Sequence, residues 1–457
     1  MEDQRMLRRK NRHQKSAPFT TFQLIVLFYF IAVALSTVLL SLPWVRQDGA
    51  PFEFIDTLFT AVSAVSVTGL TVETIGTTYN GLGYVVLCLI FQLGGVGIMT
   101  LGTFVWLIAG KRIGLKERKL IMADQNQLNL AGLVKLLKQI LTLIIAIEAV
   151  GGLILSIHFL QYYPDWQTAA MHGLFTAISA TTNAGMDITA NSLQPYANDY
   201  FVQFIHIILI TLGAIGFPVL IEVKNFLFYN PEKSFQFSLF TKITTVTFLI
   251  LTVIGTVFIF ILEIGNSFKS LSWHQSFFYS LFQSVTTRSG GMSTIDVSVF
   301  SESTQLFMSI LMFIGASPSS VGGGIRTTTL AIVILTLFFY ARGRENIKVF
   351  RREVFLEDII RAFIVMTTGL LLTATAVIVI SVVEPFSMIP ILFEVTSAFG
   401  TTGLSMGITS ELHALSKFIL MLLMFIGRVG IFSFLFLIRG DTTKDHFHYP
   451  KERIIVG

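Results

Sequence analysis

The sequence predicts an all-α integral membrane protein. It has four tandem span–pore helix–filter–span repeats, giving eight transmembrane helices and four re-entrant pore loops around one pseudo-fourfold pore. Three observations predict it. The first is composition: 457 residues, 53% hydrophobic and only 13% charged, where soluble domains carry about 25% charged residues. The second is a repeat. The stretch LFTAVSAVSVTGLT at 58–71 returns as LFTAISATTNAGMDIT at 174–189, LFQSVTTRSGGMST at 281–294 and LFEVTSAFGTTGLS at 392–405. Each opens Leu-Phe, passes through Ser or Thr and ends on a glycine: Gly69, Gly185, Gly290 and Gly403. Self-similarity at a near-fixed period sets the architecture before local detail is read. The third is that every copy lies between two long apolar runs.

In chain order, residues 1–19 form a basic cytoplasmic N-terminus with Arg5, Arg8, Arg9, Lys10, Arg12 and Lys15. The apolar run 20–45 fits a retained span, since a helix needs about 20 apolar residues to cross the hydrocarbon. The stretch 52–65 is too short for that and runs into a glycine turn. Such irregular backbone is tolerated at membrane depth only where it is buried in protein or lines a cavity, so a re-entrant segment is expected. The uncharged run 81–110 is the second span and completes repeat A, residues 20–110. Repeat B, 111–230 with its preceding cytoplasmic loop, has spans at 140–162 and 200–221. Repeat C, 231–341, has spans at 243–262 and 305–340. Repeat D, 342–440, has spans at 362–383 and 418–438, and a cytoplasmic tail, 441–457, follows. The lone cysteine, Cys88, excludes a disulfide within the chain.

The second spans share a motif: Leu93-Gly-Gly-Val-Gly-Ile98, Leu212-Gly-Ala-Ile-Gly-Phe217 and Ile426-Gly-Arg-Val-Gly-Ile431. In repeat C it carries an insertion: Gly315, Ala316, Ser317, Pro318, Ser319, Ser320, Val321, Gly322, Gly323 and Gly324. Proline and four glycines do not hold a straight helix, so two half-helices joined by a mid-membrane loop are expected there.

Charge gives the orientation. Lys111, Arg112, Lys116, Arg118, Lys119, Lys233, Lys242, Arg342, Arg344, Lys348, Arg351 and Arg352 precede first spans, whereas the opposite loops are acidic, with Asp48, Glu53, Asp56, Glu73, Asp187, Asp199, Glu394 and Glu411 among them. The positive-inside rule then puts both termini in the cytoplasm, with a multi-pass chain in the cell membrane and the lipid bilayer as its first partner. An acidic outer mouth would concentrate cations.

A dehydrated monovalent cation needs several oxygens to replace its water, and rings of backbone carbonyls supply them. The chain must then run extended, with glycine where other residues are sterically barred. Val67-Thr68-Gly69, Asn183-Ala184-Gly185, Arg288-Ser289-Gly290 and Thr401-Thr402-Gly403 each offer such a triplet. One glycine after a short helix is an ordinary cap; four at matched places between long spans make a ring without any oligomer.

Span, pore helix, filter and span, four times in one chain, with a glycine-rich break in the third repeat, resembles the Trk/Ktr/HKT superfamily, closest to the membrane subunit of bacterial Ktr systems. The resemblance covers nearly the whole chain. It implies a potassium channel-like uptake protein with K+ bound at the four triplets, Gly69, Gly185, Gly290 and Gly403 governing selectivity. Sodium-preferring plant relatives often carry Ser at the first of these; here it is Gly69. None of the triplets has the second, aromatic-preceded glycine of potassium channels. The resemblance also implies a homodimer on a cytosolic ring of nucleotide-binding RCK-type regulatory subunits, with no cofactor in this chain and nucleotide only on that partner. The basic stretches 111–138 and 342–361 are where the ring would dock.

Arg428 lies half-way along the last span, where an arginine is costly and must face protein or water. The expected partners are carbonyls of the 315–324 loop, making loop and Arg428 a gate. Arg326 would lie nearer the cytoplasm. Arg288 would prop a filter turn from behind, against Asp187 or Glu394. Glu148, His158 and His206 are expected to bond neighbouring helices. Gly94-Gly95-Val96-Gly97 follows no strand and is not a dinucleotide turn; no catalytic constellation or nucleic-acid site is evident. The alternative within transport is a symporter coupling K+ to Na+ or H+ on the same scaffold; a membrane-embedded enzyme lacks paired acids or metal-ligand spacing.

Overall fold

The computed structural model describes residues 21–98, 100–101, 114, 122, 133–228, 235–344, 346–439, 449–450, 452 and 454–455. The basic N-terminus, most of the 111–138 loop, Lys233 and most of the tail lie outside the described residues. The described chain is almost entirely helical.

One pattern recurs four times. A long helix leads to a short helix, then a turn, then a helix that breaks. The long helices are α1 (Thr21–Leu40), α4 (Leu133–Phe159), α8 (Leu239–Glu263) and α12 (Leu356–Val383). Among the described residues they are the four single helices long and apolar enough to cross a membrane. The short helices are α2 (Phe54–Ser66), α5 (Trp166–Thr181), α9 (Trp273–Thr286) and α13 (Met388–Gly400). After them come α3 (Gly81–Val96), α6 (Tyr200–Ala214) with α7 (Phe217–Leu227), α10 (Glu302–Phe313) with α11 (Thr327–Ala341), and α14 (Ala414–Val429) with α15 (Ile431–Arg439). A two-stranded hairpin, β1 (Lys348–Val349) and β2 (Arg352–Glu353), precedes α12.

Burial runs opposite to that of a soluble protein. Long helices turn large apolar side chains outward; Phe30, Ile157, Ile261 and Leu371 are all more than 60% exposed. The short helices are buried and rich in small and hydroxylated residues, as in Ala61, Ser63, Ala64 and Ser66 of α2. Lipid tails are as apolar as Leu, so close packing of small residues, rather than exclusion of apolar groups from water, holds the centre. Hydroxyls there bond their own helix, as Ser66 Oγ does with Val62 O at 2.7 Å.

The break expected only in the third repeat occurs in all four. Gly97, Gly216 and Gly430 interrupt the expected spans 81–110, 200–221 and 418–438 at φ 99°, 102° and 91° with ψ 132° to 145°. No residue with a Cβ adopts that region readily, so helix cannot propagate through it. The axis of α7 turns 107° from that of α6. The motif glycine that precedes each break admits a close crossing: a Cβ on Gly94, Gly213 or Gly427 would collide with the carbonyl of Val65, Thr181 or Phe399.

The first and last repeats meet at an ion pair. Lys417 Nζ of α14 lies 2.8 Å from Asp56 Oδ1 of α2, the side chains 8% and 15% exposed. Asp56 and Glu73, the latter 2.7 Å from Arg46, are thus paired rather than free acidic charges. Lys417→Met leaves the half-buried Asp56 without its cation, which costs about 2 kcal/mol. A lower melting temperature, restored by adding Asp56→Asn, is expected; an unchanged one would remove the pair from the account of how the ends join.

Candidate functional site: a ring of four turns over a broken helix

Each short helix ends in the same backbone turn. A residue in the left-handed region comes first: Val67 (φ 50°), Asn183 (51°), Ser289 (66°) and Thr401 (45°). Two residues later a glycine takes positive φ: Gly69 (97°), Gly185 (67°), Gly291 (70°) and Gly403 (92°). Left-handed Val and Thr are rare because the branched Cβ crowds the backbone. The helix ends hold them there: Thr68 N donates to Ser63 O, Ala184 N to Ser179 O and Thr402 N to Ser397 O, each at 2.8 Å. Side-chain oxygens fasten the exit, with Gly69 N on Ser63 Oγ and Gly403 N on Ser397 Oγ, both at 3.1 Å.

The turns close into a circuit. A Cβ on Gly69 would stand 2.7 Å from Ala184 O, and one on Gly185 2.8 Å from Gly291 Cα and 3.3 Å from Gly290 O. One on Gly291 would stand 2.5 Å from Thr402 O, and one on Gly403 would strike Thr68 O. Each glycine thus faces the carbonyl of the middle residue in the next turn, first to second, second to third, third to fourth and fourth back to first. The side chains of Val67, Thr68, Asn183, Ser289, Thr401 and Thr402 are fully buried behind it.

This corrects the register of the third turn. The position matching Gly69, Gly185 and Gly403 belongs to Gly291, and the triplet is Ser289-Gly290-Gly291 rather than Arg288-Ser289-Gly290. Gly290 takes the place of Thr68 and Thr402; a Cβ there would meet Thr286 and Ile210, away from the ring. Arg288 falls out of the triplet. Its buried guanidinium donates Nη1 to Leu311 O at 2.9 Å and to Ile314 O at 3.0 Å, at the end of α10. It does not reach Asp187, which is held by Thr189 and Ser192, or Glu394, which accepts from Ser405, Met406 and Thr409. The helix-end carbonyls need donors, and a buried arginine supplies them.

The loop between α10 and α11 touches all four repeats. Ser317 N and Val321 N donate to Ala214 O (3.0 Å) and Gly213 O (3.2 Å), and Ser319 O accepts from Phe217 N (2.8 Å). Gly323 N donates to Thr401 Oγ1, in the fourth turn, at 2.7 Å. A Cβ on Gly322 would meet Ser289, and one on Gly216 would stand 2.8 Å from Pro318 O. The expected contact with Arg428 is present: Nη1 donates to Val321 O. Nη2 reaches Gly94 O and, at 3.1 Å, Gly95 O, so Arg428 also binds the carbonyl end of α3, where the helix dipole favours a cation. Arg326 Nη1 donates to Gly322 O and, at 3.4 Å, to Ser317 O; it braces the loop from within. Gly315 and Gly323 lie so close that a Cβ on Gly315 would overlap Gly323 O, and Ala316 N donates to that oxygen at 3.3 Å. Ser320 Oγ donates to Ser317 O at 2.6 Å.

Of the other intramembrane polar groups, Glu148 of α4 accepts from Gln92 of α3, and His158 lies 2.6 Å from Asp199 at the start of α6. His206 instead bonds Val202 O of its own helix at 2.8 Å. Carbonyls dominate the ring and the loop. Such an arrangement can coordinate a desolvated cation; its carbonyls are neither nucleophiles nor an acid–base pair.

Residues 2–445 match the TrkH family of cation transport proteins. The chain is 55% identical to a Ktr system potassium uptake protein D of Bacillus subtilis, over 95% of this chain and 97% of that one. It is 36% identical to a Ktr system potassium uptake protein B of the same organism, over 99% and 100%, and 33% identical to one of Vibrio alginolyticus, over 95% and 94%. The crystal structure of the potassium transporter TrkH from Vibrio parahaemolyticus superposes with a TM-score of 0.71 at 16% identity, covering 94% of this chain and 87% of that chain, which supports the fold. The chain is an all-α membrane protein of a transporter family rather than an enzyme family, and it belongs to the TrkH family of cation transport proteins, on the Ktr side of the Trk/Ktr superfamily.

Proposed function

We propose that the chain is the ion-translocating subunit of a Ktr-type potassium uptake system, channel-like, with K+ desolvated in the ring of four turns. The observation that carries this is the closed circuit in which each glycine faces the next turn's carbonyl; carbonyl rings of this kind replace a hydration shell. The potassium uptake named for its relatives agrees with it. The eight-span reading counts each broken second helix as one crossing. Trp44, Trp166 and Trp273 favour it: all are exposed, and two of them begin short helices, as interfacial anchors would. The short helices then start at the membrane surface and deliver their turns into its depth. In this reading the working unit is a homodimer on a cytosolic nucleotide-binding ring, as the resemblance to Ktr systems implies, with nucleotide on that partner and no cofactor in this chain.

Flux into liposomes with K+, Rb+ or Na+ as the only permeant cation tests the reading. K+ and Rb+ should pass well ahead of Na+; equal rates would sink it. The four broken helices also suit a symporter coupling K+ to Na+ or H+, and a reversal potential that follows pH or the Na+ gradient would favour that. For orientation, Glu411→Cys should react in intact cells with a membrane-impermeant thiol reagent, and Arg344→Cys should not. Both positions are exposed, and the opposite pattern would invert the topology.

A further inference from the structure

Beneath the loop between α10 and α11 lies a cavity of about 850 Å³, within the usual size of small-molecule sites. Its roof is Pro318, Gly324 and Arg326. Its walls are apolar: Ile243 of α8, Ile332 of α11, Val365 of α12 and Ile431 of α15. Its rim is charged, with Arg352 and Glu353 of the hairpin and Asp358 and Arg361 of α12. Arg361 stands 3.7 Å from both Glu357 and Asp358 and is 55% exposed. That is longer than a charge-assisted hydrogen bond, so its fork is open to a closer acceptor. Among the described residues Arg352 has no ion pair, and Arg351 precedes it.

The rim also exposes large apolar groups. Phe355 and Leu356 are 78% and 69% exposed, and Tyr340 at the end of α11 is 79% exposed. At the hairpin tip Phe350 and Arg351 both hold positive φ, and Lys242 of α8 lies 5.9 Å from the Phe350 ring. Arginines interleaved with bare aromatic side chains at the ends of spanning helices suit neither water nor hydrocarbon; they suit the headgroup layer. With Arg326, Arg351 and Lys242 added to Arg352 and Arg361, five cations stand against Glu353, Glu357 and Asp358, and basic pockets between helices on the cytoplasmic side receive acidic lipid headgroups.

We propose that this cavity seats one anionic phospholipid, with an acyl chain against the apolar walls and its phosphate on Arg352 and Arg361. A soluble anion would leave the apolar chamber unfilled. The seated chain touches the loop at Pro318 and Gly324, so occupancy biases the loop's position. The inference rests on the proposed orientation only for the leaflet that supplies the lipid.

The test reads binding without transport. The melting temperature of the full chain in detergent is followed as phosphatidylglycerol, phosphatidylcholine or inorganic phosphate is added, because a ligand of the folded state raises it. Phosphatidylglycerol should raise it by several degrees more than phosphatidylcholine, with phosphate without effect. Arg352→Gln with Arg361→Gln should lose that increment while melting normally in phosphatidylcholine. Ile332→Trp, which fills the apolar part and keeps the charge, should lose it too. An equal shift in wild type and both variants would overturn the proposal. So would a phosphate effect matching the lipid's, which means a free-anion site. The proposal also falls if the arginine variant keeps the lipid shift but loses its response to a cytosolic subunit, which makes the rim a protein-docking face. In vesicles, K+ flux should rise several-fold when phosphatidylglycerol replaces phosphatidylcholine beside phosphatidylethanolamine. No flux in either would count against the potassium reading alone, since melting still reports the lipid.

Discussion

Gly291→Ser is expected to abolish discrimination of K+ from Na+ and to weaken K+ uptake affinity by roughly tenfold or more, a loss of about 1.4 kcal/mol per factor of ten. The residue holds φ 70°, where a side chain is strained. Its Cβ would also stand 2.5 Å from Thr402 O and 2.6 Å from Gly185 Cα, pushing apart two turns at once. Gly290→Ala is the control. Its Cβ would press on Thr286 and Ile210 behind the turn, so lower folding yield is expected, with selectivity in the folded protein largely kept. Gly69→Ser should behave like Gly291→Ser. K+ and Na+ uptake kinetics at matched expression decide it, and the reverse ranking of Gly290 and Gly291 would return the third turn to the register read from sequence.

The second large effect concerns the loop. Deleting 316–321 is expected to raise K+ flux several-fold in liposomes containing the membrane subunit alone, and to reduce its dependence on a regulatory partner. The deletion removes the Val321 carbonyl that Arg428 holds and the Ser317 and Val321 amides bound to the break between α6 and α7. It spares Gly323, whose amide supports Thr401 of the fourth turn, so K+ preference should survive. Arg428→Gln should act in the same direction and more weakly, because the other loop contacts remain. It should also loosen the end of α3, since Arg428 binds Gly94 O and Gly95 O. Lower flux from a folded deletion protein would mean that the loop supports the pathway rather than obstructs it.

The fold class was legible because the bilayer writes it in composition and period. Long charge-poor runs and a fourfold Leu-Phe stretch are local, one-dimensional signals. The loop in repeat C was legible for the same reason: Pro318 and its neighbouring glycines bar a helix wherever they stand. The breaks at Gly97, Gly216 and Gly430 carried a fainter mark. A single glycine inside an apolar run is tolerated in a helix at a modest cost, and only the recurrence of Leu-Gly-x-x-Gly could have flagged it. Arg428 meeting the loop followed from the cost of an unpaired intramembrane cation, which forces a partner within reach.

By itself, then, the sequence determined the membrane class, the four repeats, the three unshifted glycines and the interrupted helix, because each depends on residues adjacent in the chain. Tertiary structure alone decided which of Gly290 and Gly291 belongs to the ring. Two adjacent glycines are equivalent in sequence, and what separates them is the Thr402 carbonyl standing against one of them, more than a hundred residues away. It likewise decided that Arg288 serves the end of α10 instead of an acidic partner, and that Arg428 joins three repeats. Charge demands a partner, and only packing brings one within hydrogen-bonding distance.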